Sequence, residues 1–252
     1  MTTDTSGTGH ETYHVIVVGG GVAGLSAAVF TARHGLDTLV VDAGESILRR
    51  NAHLENFPGF PAGVNARRLL DLLGEQAEAA GCERVEGTVV RVEGTDNGSG
   101  FTVETEAGDR YRTEYVVAAT KNEVGYMEDI DGVGIIDRGK AFVDVDERGR
   151  TGVEGLYAAG RLAEKPHQAI VCAGHGAEVG LAILEDDDRP FYHDWVAPQG
   201  YFTDRGRDLP PGCEEIDDAE RDRRESNAMS VMQDRFATRH PDEQETHPTL
   251  DE

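Results

Sequence analysis

Six consecutive residues, Gly19-Gly20-Gly21-Val22-Ala23-Gly24, have the types and spacing to hold a pyrophosphate. In a G-x-G-x-x-G turn the first glycine permits the tight bend and the second lets backbone approach the phosphates. The third lets the following helix lie close to its strand. Asp42 stands eighteen residues past Gly24, about where a carboxylate that accepts ribose hydroxyls is expected. The plainer use of such a turn is helix–sheet packing alone. Other reactive residue types are scattered. His53, His167, His175 and His193 make no metal-ligand spacing. His53 could act as a general acid or base because its ordinary pKa lies near neutrality, or could be a hydrogen-bonded loop residue. Cys82, Cys172 and Cys213 form no C-x-x-C and no zinc spacing. Cys172 reads as a buried structural cysteine, and Cys213 lies in a Pro-Gly-Cys-Glu turn. Arg49 and Arg50 could reach phosphates or be ordinary surface cations. Residues 134–140 match G-x-x-x-x-G-K, but Ala141 follows where a magnesium-binding hydroxyl would be needed. A connecting turn is the simpler reading.

The elements that must position these residues follow from pattern. Val15-Ile16-Val17-Val18 is an apolar, β-branched run that leads into the glycines, and a small-residue helix follows. Gly35 suits its C-terminal cap. A second strand, 38–41, ends at Asp42. This β-α-β context, from about Tyr13 to Asp42, is what gives the glycine motif weight. Phosphates would then lie at a helix N-terminus, among unpaired N–H groups and the positive dipole end. Residues 45–61 have no clean period and read as a ligand-side loop. A helix is expected over 65–80, stopped by Gly81. Strands are expected at 85–92, 101–106 and 111–119, joined by hairpin signals at Asp96-Asn97-Gly98 and Ala107-Gly108-Asp109, so a β-meander is expected. Further strands are expected at 141–145 and 155–158, and a helix over 167–184. The acids Glu185 to Asp188 oppose a helix dipole and are expected beyond the helix end, in solvent.

Composition bounds the function classes. The chain has 252 residues, with 48 acidic and 24 basic, giving a net charge of −24. Such a charge works against binding nucleic acid or anionic membrane. Only Lys121, Lys140 and Lys165 are lysine. A surface rich in acids and poor in lysine fits a salt-loving cytoplasm, so a halophilic archaeon and a cytoplasmic location are expected. No signal peptide and no membrane-length apolar run is read. Residues 1–11 are expected to be disordered, 12–186 to form the nucleotide-binding domain, and 187–252 an acidic extension. That extension holds an aromatic cluster from Phe191 to Phe202 and one polar helix from about Cys213 to Phe236, with a thin stripe at Met229, Met232 and Phe236.

The chain resembles the FAD domain of the thioredoxin reductase-like flavoproteins. The resemblance rests on VIVVGGGVAGLSAAVFTARHG, LENFPGF, YVVAAT and GLYAAGRLAEKPHQAIVCAGHGAEVGLAIL, in the family's order, across about residues 13–185. It implies an α/β fold, a three-layer FAD/NAD(P)-binding Rossmann-like domain with a β-meander. It implies FAD as cofactor, with Gly19, Gly20, Gly21, Val22, Ala23 and Gly24 at the pyrophosphate and Asp42 at the adenosine ribose. Asn56 would face the flavin side, and Ala119 and Thr120 would cross near the FAD. Gly160 and Arg161 would touch ribityl and phosphates. Gln168 and Ala169 would lie under the flavin's pyrimidine end, where a helix dipole stabilises reduced flavin. His167 would lie near the ring.

The chain also departs from the family. Only about twenty residues separate Thr120 from Ala141, where the family inserts its NAD(P)H domain with the redox C-x-x-C. Arg161 replaces an aspartate and Lys121 a glycine. The reading that results is a small FAD-dependent oxidoreductase fed by a separate donor: ferredoxin, another reductase, or NAD(P)H docking at the flavin. Its acceptor is unknown and no catalytic residue is assigned. A homodimer is the family's habit, and the aromatic segment is placed to cover the flavin. Two other readings stay open: a non-redox protein holding FAD, NAD or ADP, and an interaction subunit with a relic domain.

Overall fold

The computed structural model describes residues 11–95 and 100–246. Strand β1 (Glu11–Val18) enters helix α1 (Val22–Arg33), which returns to β2 (Thr38–Asp42). Helix α2 (Ala66–Ala79) follows, capped by Asn65, whose side chain accepts from the N–H groups of Arg67 and Arg68. Next come β3 (Glu83–Glu86), β4 (Val89–Gly94), β5 (Phe101–Thr105) and β6 (Arg110–Ala118), then short β7 (Ile135–Asp137), β8 (Ala141–Val143) and β9 (Leu156–Ala158). Helix α3 (Ala169–Asp186), β10 (Trp195–Pro198), β11 (Cys213–Ile216) and helix α4 (Asp218–Phe236) complete the order. No helix among the described residues is long and apolar enough to cross a membrane.

One seven-stranded sheet runs β3-β2-β1-β6-β5-β4, with β9 on β6. On its edge away from β1, β6 serves two partners. Its first half, from Arg110 to Thr113, pairs antiparallel with β5, and its second half, from Val116 to Ala118, pairs parallel with β9. The meander and the parallel sheet therefore share one strand. Alternation along β1 divides the core. Val15 and Val17 face α1, α2 and α3. Ile16 and Val18 face the meander, the 3-10 turn Gly125–Met127 and β8. Helices α1 and α3 cross through a seam of small residues. A Cβ on Gly176 would overlap the backbone of Ala23, and one on Gly180 would lie 2.8 Å from Cβ of Phe30.

Several expectations need correction. β1 begins at Glu11, inside the stretch expected to be disordered; residues 1–10 lie outside those described. The strand expected at 85–92 is two strands, β3 parallel to β2 and β4 antiparallel to β5. The chain changes partner at Gly87-Thr88, and a run of valines does not report a change of partner. The Asp96-Asn97-Gly98 turn lies outside the described residues. Residues 134–140 lie in the β7–β8 hairpin, with no helix after them, so they are a connecting turn.

Glu185 and Asp186, expected beyond the helix end and in solvent, are the last two residues of α3. Asp186 ends the helix and takes a bidentate bond from Arg150, at 2.6 and 2.8 Å, and another from the Tyr157 hydroxyl at 2.6 Å. The Arg150 bond chiefly holds its carboxyl below the ordinary value, and this cation offsets the unfavourable dipole.

The polar helix starts at Asp218 rather than near Cys213, because Cys213–Ile216 pairs as β11 with β10. Asp217 caps α4 through the N–H of Glu220 at 2.7 Å. The Glu215 carboxylate gathers N–H bonds from Gly200, Phe202 and Thr203. These bonds outweigh the desolvation that would raise its pKa and hold it at about 2. The aromatic segment does not cover the cleft end of α1. Arg33, at the far end of that helix, pairs with Asp194. Twelve residues of helix, roughly 18 Å, separate that contact from the glycine turn.

Candidate functional site

Three parallel strands, β2, β1 and β6, end along one edge, and the chain departs from them in opposite directions. That makes a crevice at the switch point between β2 and β6. The strand ends are tied together: the N–H of Gly19 donates to the Val41 carbonyl at 2.8 Å, and that of Ala119 to the Val18 carbonyl at 2.9 Å. Gly19 adopts φ +108°, a left-handed region that favours glycine, and a Cβ there would lie 2.8 Å from the Ala119 carbonyl oxygen. A Cβ on Gly24 would overlap the Gly19 carbonyl, and one on Gly20 would overlap the Asp42 carboxylate. At Gly21 the surroundings are open: a Cβ would meet only Ser46 Oγ, at 3.7 Å.

Gly21 is also the N-cap of α1 and supplies no side-chain cap. The first backbone bond of the helix is Leu25 N–H to the Gly21 carbonyl at 2.9 Å. The N–H groups of the first turn are thus left to point at a ligand. Asp42 Oδ1 accepts from the N–H of Gly44 at 3.1 Å, which fixes its carboxylate beside the glycines. The cradle is open where backbone must approach a pyrophosphate and closed where it must not move. On this geometry the residues present fit an FAD pyrophosphate and ribose.

The crevice, about 290 Å³, is lined by Gly19, Gly20, Gly21, Val22, Ala23, Asp42, Ala119, Thr120 and Arg161 among the expected residues. Thr120 is held by a bond from its hydroxyl to the Glu123 carbonyl at 2.6 Å and by Tyr126 at 2.9 Å. The remaining expected residues are placed otherwise. Gly24 works behind the cradle as the helix–strand contact. Gly160, at φ +66°, is buried against Ala23 and Cys172, and its N–H donates to His175 Nδ1 at 3.0 Å. It holds the turn before Arg161 rather than lining the crevice. Asn56 and Gln168 are joined by a 2.8 Å side-chain bond outside the crevice, and Ala169 opens α3 just beyond them.

Sequence reasoning left out Ser46, Ile47, Leu48 and Lys121, all of which line the crevice. For the first three the signal, a loop of no clean period after the ribose acid, located the segment but not the residues; for Lys121 it was the departure from the family's glycine. His167 lines it too, and partial burial, then the charges of Arg161, Lys121 and Lys140, push its imidazole below the ordinary value. Burial raises the Cys172 thiol, so this cysteine is not an activated nucleophile. His53 bonds the Ala62 carbonyl at 3.3 Å, a loop contact.

Residues 14–52 match the family model of the FAD binding domain. The thioredoxin reductase of Aquifex aeolicus is 34% identical over 113 residues, covering 44% of this chain and 34% of that protein. The thioredoxin reductase of Streptomyces clavuligerus is 38% identical over 114 residues, with the same coverage of 44% and 34%. The dihydrolipoyl dehydrogenase of Haloferax volcanii is 33% identical over 200 residues, covering 75% of this chain and 38% of that protein. The chain therefore spans about a third of the length of the curated relatives it matches. Among solved structures, a thioredoxin reductase from Gloeobacter violaceus aligns with TM-score 0.63 at 18% identity, over 74% of this chain and 99% of that one. That likeness shows the fold, an α/β Rossmann-like domain with a mixed sheet. The match of residues 14–52 to the FAD binding domain, taken with the glycine cradle and the ribose acid, gives FAD as the cofactor.

Proposed function

We propose that the chain is a FAD-dependent oxidoreductase that takes electrons from a separate donor, without a dithiol or nicotinamide domain of its own. The observation that carries this reading is the crevice itself. Open N–H groups at the start of α1, the fixed Asp42 carboxylate and Thr120 converge at the β2/β6 switch point. When bound, FAD supplies the two-electron chemistry, and the protein supplies binding and electrostatics. The first turn of α1 would hold the pyrophosphate, and the Asp42 carboxylate would accept ribose hydroxyls. Arg161 would bring a cation where the family carries an acid.

The donor is ferredoxin, another reductase, or NAD(P)H docking directly, and the acceptor a thiol, disulfide or small organic molecule. A homodimer in a cytoplasm of high salt completes the proposal, consistent with the net charge of −24. Anaerobic titration with NADH, NADPH and reduced ferredoxin tests it. Bleaching of the visible bands by one of them, and their return with an acceptor, is the expected result. A bound flavin that no donor reduces would favour the second reading, a non-redox nucleotide-binding protein. That reading is supported by the cysteines, of which Cys82 and Cys172 are buried and the three stay unpaired.

A further inference from the structure

A second cleft, about 440 Å³, adjoins the crevice and is lined by Arg50, Lys121, Lys140, Arg161 and His167. In a chain of charge −24 with three lysines, two of the three stand here with two arginines. None of the four cations pairs with a carboxylate among the described residues. The hydrogen bond of Arg161 goes to a backbone carbonyl, that of Lys165, at 3.2 Å, and its guanidinium lies 4.8 Å from the Phe142 ring centroid. The acid in the lining, Glu245, is turned to Arg49, with 3.9 Å between their side chains and a backbone bond from Glu245 to the Arg49 carbonyl.

Lys121 stands at φ +65°, a conformation in which glycine would be easier. Its backbone is pinned there by the Thr120–Glu123 turn, where Asn122 N–H donates to the Thr120 carbonyl at 2.7 Å. The sequence keeps a long cation at a strained position that opens on other cations. None of Gly19 to Gly24 lines this second cleft, so it is not the pyrophosphate cradle; Arg50, Lys121, Arg161 and His167 stand on the wall the two share, and Lys140 lines the second alone.

We propose that this cleft binds a small anionic reaction partner carrying a doubly charged oxyanionic group, phosphoryl or dicarboxylate. This substrate class rests on the reading that FAD occupies the neighbouring cradle. Two guanidinium forks and two ammonium groups around one opening suit such a group. The uncharged His167 imidazole beside them offers one further hydrogen bond. Charge on this face also draws anions past an otherwise repelling surface.

The test is calorimetric titration of the FAD-loaded full chain with inorganic pyrophosphate and, separately, with citrate, at fixed ionic strength. Lys140→Gln and Lys140→Glu are the variants. Lys140 lines only the second cleft and follows an exposed hairpin turn, so neither is expected to unfold the protein. At least one probe should bind, Lys140→Gln should weaken it severalfold and Lys140→Glu tenfold or more, while FAD affinity stays within twofold. Raising salt should weaken the wild type more steeply than either variant. Tighter binding of pyrophosphate identifies a phosphoryl ligand, and of citrate a carboxylate one. Failure of both probes to bind, or equal binding by wild type and Lys140→Glu, would overturn the proposal. So would release of FAD in proportion to bound pyrophosphate, which would place the anion in the cradle. A chain that binds the anion through Lys140 but never binds FAD would sink the cofactor reading and leave the anion site standing.

Discussion

His175 is a buried histidine that must stay neutral for the site to hold its shape. It is 4% exposed, and its Nδ1 accepts the N–H of Gly160 at 3.0 Å, so that nitrogen carries no proton. Burial, reinforced by the charge of Lys165, lowers its pKa from 6.5 to about 4. As pH falls below 6.5 the unfolded chain takes a proton here while the folded chain does not. Stability is therefore lost between the two values and levels off below the folded one. With those two values the loss between pH 7.5 and pH 5.0 is about 2 kcal/mol from this group alone.

His175→Asn keeps an acceptor for Gly160 and removes the titration. Denaturant unfolding of both proteins at pH 7.5 and 5.0, at one high salt concentration, isolates the effect. The variant is less stable at pH 7.5, by about 1–3 kcal/mol for the lost packing, but it should lose about 2 kcal/mol less than wild type on going to pH 5.0. Equal losses in the two proteins would refute the reasoning, because His175 would then be titrating alike in both states.

Other predictions follow from the same geometry. Gly174→Ala and Gly176→Ala lie two residues apart on α3, yet a Cβ at 174 meets nothing within 4 Å while one at 176 overlaps Ala23. The first should stabilise by about 0.5–1 kcal/mol, the second should destabilise by about 1–3 kcal/mol, and thermal unfolding reads both. Gly24→Ala should cut FAD affinity at least tenfold by forcing α1 away from Gly19, measured by flavin fluorescence quenching. Phe202→Ala, at a buried site in the extension, should cost about 3 kcal/mol, and an unchanged denaturation midpoint would show that this segment is not docked. Asp186 is held below its ordinary value chiefly by its bond from Arg150. Its contribution is therefore present at neutral pH and lost as pH falls through the folded value, and Asp186→Asn should flatten that acid limb.

The cradle was legible because its parts are local. Gly19, Gly21, Gly24 and Asp42 lie within one β-α-β unit, and turn chemistry with strand period dictates where each goes. Ala119, Thr120 and Arg161 were reachable only through the resemblance, since they arrive at the crevice from β6 and from beyond β9. The second cleft was not legible. Arg50, Lys121, Lys140 and Arg161 lie in four separate segments, and no period links them. The β10–β11 pair was missed because each strand has only four residues, β10 ending in a proline and β11 half acidic, and the true anchor is the Glu215 carboxylate in its nest of N–H groups. The switch of partner at Gly87 was missed because β3 and β4 both read as one valine-bearing run.

The central claim is that the crevice at the β2/β6 switch point is built for FAD. The direct measurement is the visible absorption spectrum of protein purified in high salt, with mass analysis of the extracted ligand, for wild type and Gly24→Ala. Flavin bands and an FAD mass in the wild type, reduced or lost in the variant, are the predicted result. A colourless wild type that also fails to bind added FAD in high salt, or one that releases a different nucleotide, would contradict the account.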